Sequence, residues 1–305
     1  MNSSGSEKCP LVIRFDDIGA SSKKYEVYSL YRRTMGPLGT PGDWLFLKYL
    51  PGLKAWGPYR EIRAPVWKRI IKLLERYDAK ITLGVTATWV ESEERLIPYP
   101  SMFPEEAALL KNASRRGLIE IANHGLTHCV VEGNAFKPKP FSGNRRYHRE
   151  FSALVSDEVQ SDHLRRSQDI LQSYFETEVV TFVPPGRNFS SATLASAMNV
   201  GLKYVLYNVR DEGAVLPISG VLDRLLKDAK ASGQSGSPLV SLQQLESMLA
   251  RANVRAHCRE MALHDRDLVM KGLGWFEPIL QQNQGAKFLL ARDAGSRYNS
   301  VSLDS

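Results

Sequence analysis

The chain has 305 residues, of which 43% are hydrophobic and 24% are charged, a composition typical of a globular protein with a sizeable core. Its net charge is +7, but the basic residues are dispersed and no basic motif with interleaved aromatic residues is present, so we expect no nucleic-acid partner. The three cysteines, Cys9, Cys129 and Cys258, form no CxxC pair, which argues against a zinc knuckle and favours free thiols in a reducing compartment.

The N-terminal segment lacks the basic stretch and hydrophobic core of a secretory signal. No apolar run approaches the ~20 residues that are needed to cross a bilayer. We therefore expect a cytoplasmic protein without a membrane span. The length favours a single domain over residues 1–305, and nothing in the sequence indicates the oligomeric state.

Short strand-like runs alternate with helical patterns along the chain. The predicted strands are Leu11–Phe15, Lys80–Thr86, Leu118–Ala122, Glu178–Val183, Tyr204–Tyr207, Arg259–Leu263 and Lys287–Leu290. The predicted helices are Pro65–Tyr77, Pro104–Arg116, Ser156–Phe175, Ser190–Asn199, Ser241–Ala252 and Gly272–Gln282. Such alternation is typical of an α/β fold in which helices lie outside a parallel sheet.

Two long stretches interrupt this alternation. Residues 20–62 form an insertion rich in aromatic residues, glycine and proline, and residues 130–150 have the composition of a loop. Long segments of this kind in compact domains are often lids or binding loops. The aromatic side chains of the insertion could stack on a sugar or pack onto the rest of the fold, and the sequence leaves both interpretations open.

Polar residues follow several predicted strands at the point where each strand ends. Asp16 with Asp17, His124, Gly186 and His264 all occupy such positions. Because active sites of α/β barrels and open sheets form at the carboxyl ends of the strands, we expect these residues to meet in one site.

His124 and His128 are spaced so that both imidazoles can face one metal ion if the segment forms a helical turn. The same spacing also occurs in polar clusters without a metal. Asp16 and Asp17 are neighbours at a strand end, where one carboxylate could bind a metal while the other reaches a water molecule. A turn or helix cap is the alternative role for such aspartates.

Four motifs occur in a characteristic order: R-F-D-D (14–17), N-H-G-L-T-H (123–128), F-V-P-P-G (182–186) and A-L-H-D (262–265). This series resembles that of the polysaccharide deacetylases, the NodB-homology enzymes of carbohydrate esterase family 4. The resemblance extends over residues 11–290. It implies an α/β fold of the distorted (β/α) barrel type.

The resemblance also implies a role for each matching residue. Asp17, His124 and His128 match the metal ligands of the family, Asp16 matches its general base, and His264 matches its general acid. The cofactor implied is a divalent metal ion. Zinc is the leading expectation, with cobalt, nickel and manganese as alternatives.

The third motif departs from the family pattern, because Val183 stands in the place of an arginine that orients the base and Gly186 stands in the place of an aromatic residue. Arg187 or Arg14 could supply the missing guanidinium group, and the backbone N–H of Gly186 could stabilise an oxyanion. This departure resembles a divergent branch of the family, some of whose members act in surface-polysaccharide or O-antigen biosynthesis.

The expected reaction is metal-dependent hydrolysis of an N-acyl group, acetyl or formyl, from an amino sugar or glycan precursor. The alternatives are a hydrolase of a non-sugar C–N bond and a degenerate barrel that binds glycan without turnover. His163 lies in a polar helical pattern and is expected at the surface. Asp265 or Asp267 could orient the imidazole of His264.

Overall fold

A curled sheet forms the centre of the structure, a computed structural model that describes residues 10–25, 34–35, 40–41, 61–132, 149–152, 155–209, 212–231 and 258–298. The strands are β1 (Leu11–Ile18), β2 (Thr34–Met35), β3 (Thr40–Pro41), β4 (Ile81–Val85), β5 (Thr88–Val90), β6 (Leu96–Pro98), β7 (Ile119–Asn123), β8 (Thr181–Phe182), β9 (Tyr204–Val209), β10 (Glu212–Pro217), β11 (Arg259–His264) and β12 (Phe288–Leu289). The helices are α1 (Ala64–Arg76), α2 (Tyr99–Met102), α3 (Pro104–Arg115), α4 (Asp157–Phe175), α5 (Ser191–Asn199), α6 (Ile218–Ala231), α7 (Asp265–Lys271), α8 (Leu273–Gln282) and α9 (Ala291–Tyr298).

The strands of the main sheet follow the order β10-β9-β8-β7-β4-β1-β11, and β12 pairs with the start of β1. All these pairings are parallel except that of β9 with β10. The edge strands β10 and β11 contact each other, so the sheet curls back on itself. The predicted α/β fold of the distorted (β/α) barrel type is confirmed.

Alternation along β1 divides its side chains between two environments, as the two-residue period of a strand requires. Ile13 and Phe15 belong to the core between the sheet and the helices, which includes Trp67 of α1 and Phe276 of α8. Val12 belongs to a second buried cluster, inside the barrel. Arg14 and Asp16, two and four positions after Val12, therefore point into the barrel interior, where the candidate site lies.

Local sequence signals account for the helix ends. Pro65 occupies the first turn of α1, where its missing N–H costs no hydrogen bond. The Ser156 hydroxyl caps α4 by accepting a hydrogen bond from the Val159 N–H, and Ser190 with Thr193 forms a capping box at α5. These three helices lie within one residue of their predicted bounds.

Some elements differ from the prediction. The short strands β5, β6 and β10 and the helices α2, α6, α7 and α9 were not predicted, and β8 has two residues instead of the predicted Glu178–Val183. The predicted helix Ser241–Ala252, most of the insertion at 20–62 and most of the loop at 130–150 lie outside the described residues. The assignment of the whole chain to one domain stays a prediction.

The amino ends of the strands are closed by a buried polar cluster. The carboxylate of Glu120 accepts hydrogen bonds from the hydroxyls of Thr82 and Thr181 and from the backbone N–H of Arg292 in the first turn of α9. The opposite end of the barrel is open. Within the described ranges, no helix combines the length and the hydropathy that a membrane crossing requires.

Candidate active site

A cavity of about 360 Å³ opens at the carboxyl ends of the strands, and it is large enough for a small ligand (roughly 300–1,000 Å³ is usual). All seven residues that were predicted to carry the chemistry line this cavity: Asp16, Asp17, His124, His128, Gly186, Arg187 and His264. They come from four separate parts of the chain. The residues that were expected to meet at the carboxyl ends of different strands therefore line one cavity in this structure.

Three of these residues form a compact ligand set. The Oδ1 atom of Asp17 lies 3.3 Å from His124 Nε2 and 3.1 Å from His128 Nε2, and all three side chains are buried. Their potential donor atoms lie within 4.8 Å of one another. One carboxylate and two imidazoles are a donor set that zinc and other first-row divalent cations accept.

Each imidazole is held by its other ring nitrogen. His124 Nδ1 lies 2.6 Å from the carbonyl oxygen of Val183, which can only accept, so Nδ1 carries a proton and Nε2 is directed toward Asp17. His128 Nδ1 lies 2.8 Å from the Ser22 hydroxyl, which can accept in the same way. Such contacts fix the orientation of metal-binding histidines, so the residues present fit a divalent cation.

Backbone geometry at Asp17 brings neighbouring carboxylates to the same cavity. Side chains of consecutive strand residues normally point to opposite faces. Asp17 has a φ of 69°, and the pairing of β1 with β4 shifts register between Phe15 and Ile18. This irregularity lets both Asp16 and Asp17 line the cavity. Burial would raise the pKa of Asp17, but hydrogen bonds with His124 and His128 hold it well below its usual range.

The segment 124–128 carries both histidines, and it is not helical. The two histidines therefore face one cavity without the helical turn that was considered as a way to bring them together. Left-handed residues at Gly125 (φ 83°) and His128 (φ 63°) bend the chain instead and bring the two imidazole rings to a centroid separation of 4.9 Å. A side chain at Gly125 would also collide with the carboxylate of Glu150, so this position requires glycine.

Glu150 fixes the backbone of the segment 124–128 through hydrogen bonds. Its buried carboxylate accepts hydrogen bonds from the backbone N–H groups of Leu126 (2.9 Å), Thr127 (3.2 and 3.3 Å) and His128 (2.8 Å). His163 Nδ1 of α4 lies 2.7 Å from the same carboxylate. His163 is buried, so its predicted surface position is wrong. Nothing in the sequence indicates that Glu150 would be its partner.

The chain can now be placed among known proteins. The family model for polysaccharide deacetylase matches residues 57–205, just under half of the chain. Over this range the chain resembles the polysaccharide deacetylase family. The matched range contains His124, His128 and Gly186, and the structure brings Asp16, Asp17 and His264 to them from outside it. No curated protein sequence matches the chain.

The solved structures that match this chain share little sequence with it. A family 4 acetyl xylan esterase from Clostridium thermocellum, in complex with a cobalt ion, is 15% identical with a TM-score of 0.43, and 96% of this chain and 94% of that one are covered. A family 4 carbohydrate esterase from Streptomyces lividans, in complex with acetate, is 10% identical with a TM-score of 0.44 and 93% of each chain covered. A family 4 pseudoenzyme from Bacillus anthracis is 14% identical with a TM-score of 0.43, and 92% of this chain and 63% of that one are covered. This chain therefore spans less than two thirds of the length of that protein.

Asp16 has an arginine partner despite the altered third motif of this chain. Arg14 Nε lies 3.2 Å from Asp16 Oδ1, and Arg14 Nη1 lies 3.0 Å from Glu260 Oε1 of β11. Arg14 and Asp16 are two residues apart on β1, so both point into the barrel. Of the two arginines considered from the sequence, Arg14 is the one paired with Asp16, while Arg187 is exposed and lines the cavity.

Glu260 was not predicted as a site residue. Its carboxylate is buried inside the barrel, and among the described residues no group forms a hydrogen bond with either of its oxygens. Burial raises the pKa of Glu260 to about 7, with Arg14 lowering it and Asp16 raising it. The pair formed by Arg14 and Glu260 places a titratable group directly behind the predicted base.

His264 is the last residue of β11 and is paired in register with Asp16 on β1. Asp267 accepts a hydrogen bond from the His264 backbone N–H at 3.1 Å, and its carboxylate lies 3.9 Å from the ring Nδ1. Asp265 instead contacts the buried ammonium group of Lys23, which also contacts the Asp17 carbonyl oxygen. Neither aspartate hydrogen-bonds the imidazole. Asp267 positions the His264 backbone, and Lys23 connects Asp265 to the ligand-bearing strand.

Proposed function

We propose that this chain is a metal-dependent hydrolase that removes an N-acyl group, acetyl or formyl, from an amino sugar or glycan precursor. The observation that carries the proposal is one cavity in which a buried Asp17, His124 and His128 set lies beside Asp16 and His264. The match of residues 57–205 to the polysaccharide deacetylase family model supports a sugar substrate with an acyl group on nitrogen. A biosynthetic role in surface polysaccharide is proposed from the sequence of the third motif.

Asp17, His124 and His128 would hold the divalent cation, for which zinc is the first choice and cobalt, nickel and manganese are alternatives. When bound, such a cation polarises the acyl carbonyl and lowers the pKa of water. The chain's own contribution is the fixed orientation of both imidazoles through Val183 and Ser22. This arrangement avoids reorganisation of the ligands when the site is filled.

Asp16 would act as the general base. Its carboxylate borders the ligand set and accepts the proton of the attacking water as the new C–O bond forms. Arg14, 3.2 Å away, keeps the carboxylate oriented. In this role Arg14 would replace the arginine that is absent at Val183.

His264 would act as the general acid. It borders the same cavity and is half-buried, so its imidazole can give a proton to the leaving nitrogen as the C–N bond breaks. The released products are then a carboxylic acid and a free amine. Gly186, whose backbone is left-handed at a φ of 60°, would direct its N–H toward the oxyanion of the tetrahedral intermediate.

Metal content and amine release test this proposal together. We expect about one divalent metal ion per wild-type chain by mass spectrometry, and amine release from one or more members of a panel of N-acetyl and N-formyl sugars. The variant His124→Ala/His128→Ala should lose both the metal and the turnover. A wild type that refuses zinc, cobalt, nickel and manganese would contradict the proposal.

A barrel that binds glycan without turnover is the second candidate, and the replacement of the third-motif arginine by Val183 favours it. The pairing of Asp16 with Arg14 argues against it, because a binding protein does not need a buried, oriented base. Saturable glycan binding by a metal-loaded protein that releases no amine or acid from any acylated substrate would favour this candidate. Release of amine from an acylated non-sugar compound alone would point to a non-sugar C–N hydrolase.

A further inference from the structure

Arginines dominate the charge of the cavity. Among the described residues, four arginines and two aspartates line it. Arg14 pairs with Asp16, and the Asp17 carboxylate faces the two histidine ligands. The other arginines of the lining are Arg149, Arg187 and Arg266, so the described lining has two more arginines than aspartates. A divalent cation in the ligand set would add to this positive charge.

The three arginines come from separate parts of the fold. Arg149 precedes the buried Glu150, Arg187 follows β8, and Arg266 lies in the first turn of α7. Convergence of three distant residues on one cavity differs from a run of basic residues on an exposed helix face. Each side chain is at least partly accessible, as contact with a ligand requires.

Backbone conformation directs Arg187 in particular. Gly186 and Arg187 are consecutive left-handed residues, with φ values of 60° and 58°. This conformation is unfavourable for a residue with a side chain, and non-glycine residues that adopt it cluster at functional sites. The turn places the Arg187 side chain beside Gly186, and both residues line the cavity.

Arg266 lies closer to the ligand set. Its Nη1 atom is 3.6 Å from Asp17 Oδ2, and its side chain is about one third exposed (31%). The guanidinium group therefore faces the cavity near the reacting centre. Arg187 and Arg266 together border the cavity in which the acylated sugar would lie.

We propose that Arg187, Arg266 and Arg149 form a subsite for an anionic group on the substrate, so that the acylated sugar carries a carboxylate or a phosphate. This inference rests on the proposed function, since it names the substrate class of the same site. Guanidinium groups bind both anions through paired N–H donors, and a positive cavity also accelerates the encounter with an anionic ligand.

Binding can be measured apart from turnover with sugars that have no acyl group. The probes are glucose, glucose 1-phosphate and glucuronic acid, titrated calorimetrically into the zinc-loaded protein at low ionic strength. We expect at least one anionic sugar to bind ~10-fold or more tightly than glucose, with the difference shrinking as salt is added. The stronger of the two anionic probes distinguishes a phosphorylated from a uronic acid substrate.

Arg187→Ala is the decisive variant, because no described contact links Arg187 to the metal ligands. It should abolish most of the anionic preference and leave the affinity for glucose unchanged, and Arg187→Lys should keep part of the affinity for phosphate. Arg95→Ala is the matched control, since Arg95 is exposed and pairs with Glu91 away from the cavity. Equal binding of all three sugars, or a preference that survives Arg187→Ala and Arg266→Ala, would overturn the inference.

Amine release separates this inference from the proposed function. N-acetylglucosamine, its 1-phosphate and N-acetylglucosaminuronic acid are compared with the same protein. Faster release from an anionic substrate than from the neutral one, lost in Arg187→Ala, supports both proposals. Equal release from all three retains the hydrolase and removes the subsite. An Arg187-dependent preference in binding, with no release from any acylated substrate, retains the subsite and removes the hydrolase.

Discussion

On one side of the cavity, Glu150 accepts hydrogen bonds from three backbone N–H groups and contacts His163. On the other side, Glu260 contacts Arg14, while no described group forms a hydrogen bond with its carboxylate oxygens. Both glutamates are buried and both support a neighbouring functional residue. Their pKa values move in opposite directions: burial opposes ionisation in both, but His163 and the backbone donors lower the pKa of Glu150, whereas the pKa of Glu260 is raised to about 7.

The difference follows from what each side must do. A ligand set requires fixed geometry, and several charge-assisted hydrogen bonds to one carboxylate hold the left-handed segment 124–128 in place. A general base requires a fixed orientation, and the contact with Arg14 at 3.2 Å would provide it to Asp16, the proposed base. The histidine side is therefore expected to respond to mutation through metal binding and the base side through catalysis.

Removal of the Glu150 carboxylate should have the largest effect on stability. Glu150→Ala leaves three buried N–H groups and His163 without their acceptor, and hydrogen bonds to charged groups contribute ~1.5–3 kcal/mol each. We expect a loss of at least ~4 kcal/mol in the free energy of unfolding and a large loss of zinc affinity. Urea unfolding and competitive zinc titration measure the two effects. Glu178→Ala, at an exposed surface pair, should change neither, and a stable Glu150→Ala with wild-type zinc affinity would contradict this account.

Removal of Arg14 should come next. Arg14→Ala leaves Asp16 and Glu260 buried without their cation, and breaking a buried ion pair costs ~3–5 kcal/mol. Because Arg14 contacts the base and not the ligand set, zinc affinity should stay within a few-fold of wild type while kcat falls. Arg14→Lys should restore part of the stability and part of kcat. Loss of zinc binding in parallel with kcat would show that the two sides are not separable.

Glu260 should make stability fall as pH rises. Its carboxyl group loses its proton near pH 4.5 when the chain is unfolded and near pH 7 when it is folded, so unfolding releases a proton between these values. The metal-free wild type should therefore lose about 3 kcal/mol more than Glu260→Gln between pH 4.5 and pH 8, since one pKa unit corresponds to ~1.4 kcal/mol. Urea unfolding of both proteins across this range measures the difference. Parallel curves would remove Glu260 as a titrating group.

His163 should have the smallest effect. Substitution by glutamine retains a donor for Glu150, and the three backbone N–H groups stay in place. His163→Gln should cost ~1 kcal/mol in unfolding free energy and leave zinc affinity unchanged, whereas His163→Ala should cost ~1–3 kcal/mol. A large loss of zinc affinity in His163→Gln would show that this histidine, and not Glu150, fixes the segment.

The order of the four motifs, through its resemblance to the polysaccharide deacetylases, implies the ligand set and the barrel. Apolar runs identify the strands, and Asp17, His124 and His128 lie at their carboxyl ends, where the fold brings them together. Arg14 and Asp16 are two residues apart on one strand. Their side chains therefore share a face and can pair. This is why Arg14 could be considered from the sequence at all.

The supporting residues lack such signals. Glu150 follows a stretch of basic residues with no strand or helix pattern, and only the fold places it beneath a segment that lies more than twenty positions earlier. His163 looks polar and exposed because its partner is unknown, and Glu260 looks like an ordinary strand residue. The left-handed conformations of Asp17 and His128 are equally invisible in the sequence, since neither is glycine.

The central claim is that two adjacent aspartates have separate tasks, with Asp17 binding the metal and Asp16 moving the proton. Metal content and amine release should be measured in parallel on Asp16→Asn and Asp17→Asn. Asp16→Asn should keep about one metal ion per chain and lose ~10²–10⁴-fold in kcat, the usual contribution of a general base. Asp17→Asn should lose the metal. Loss of metal in Asp16→Asn, or wild-type turnover in that variant, would contradict the account.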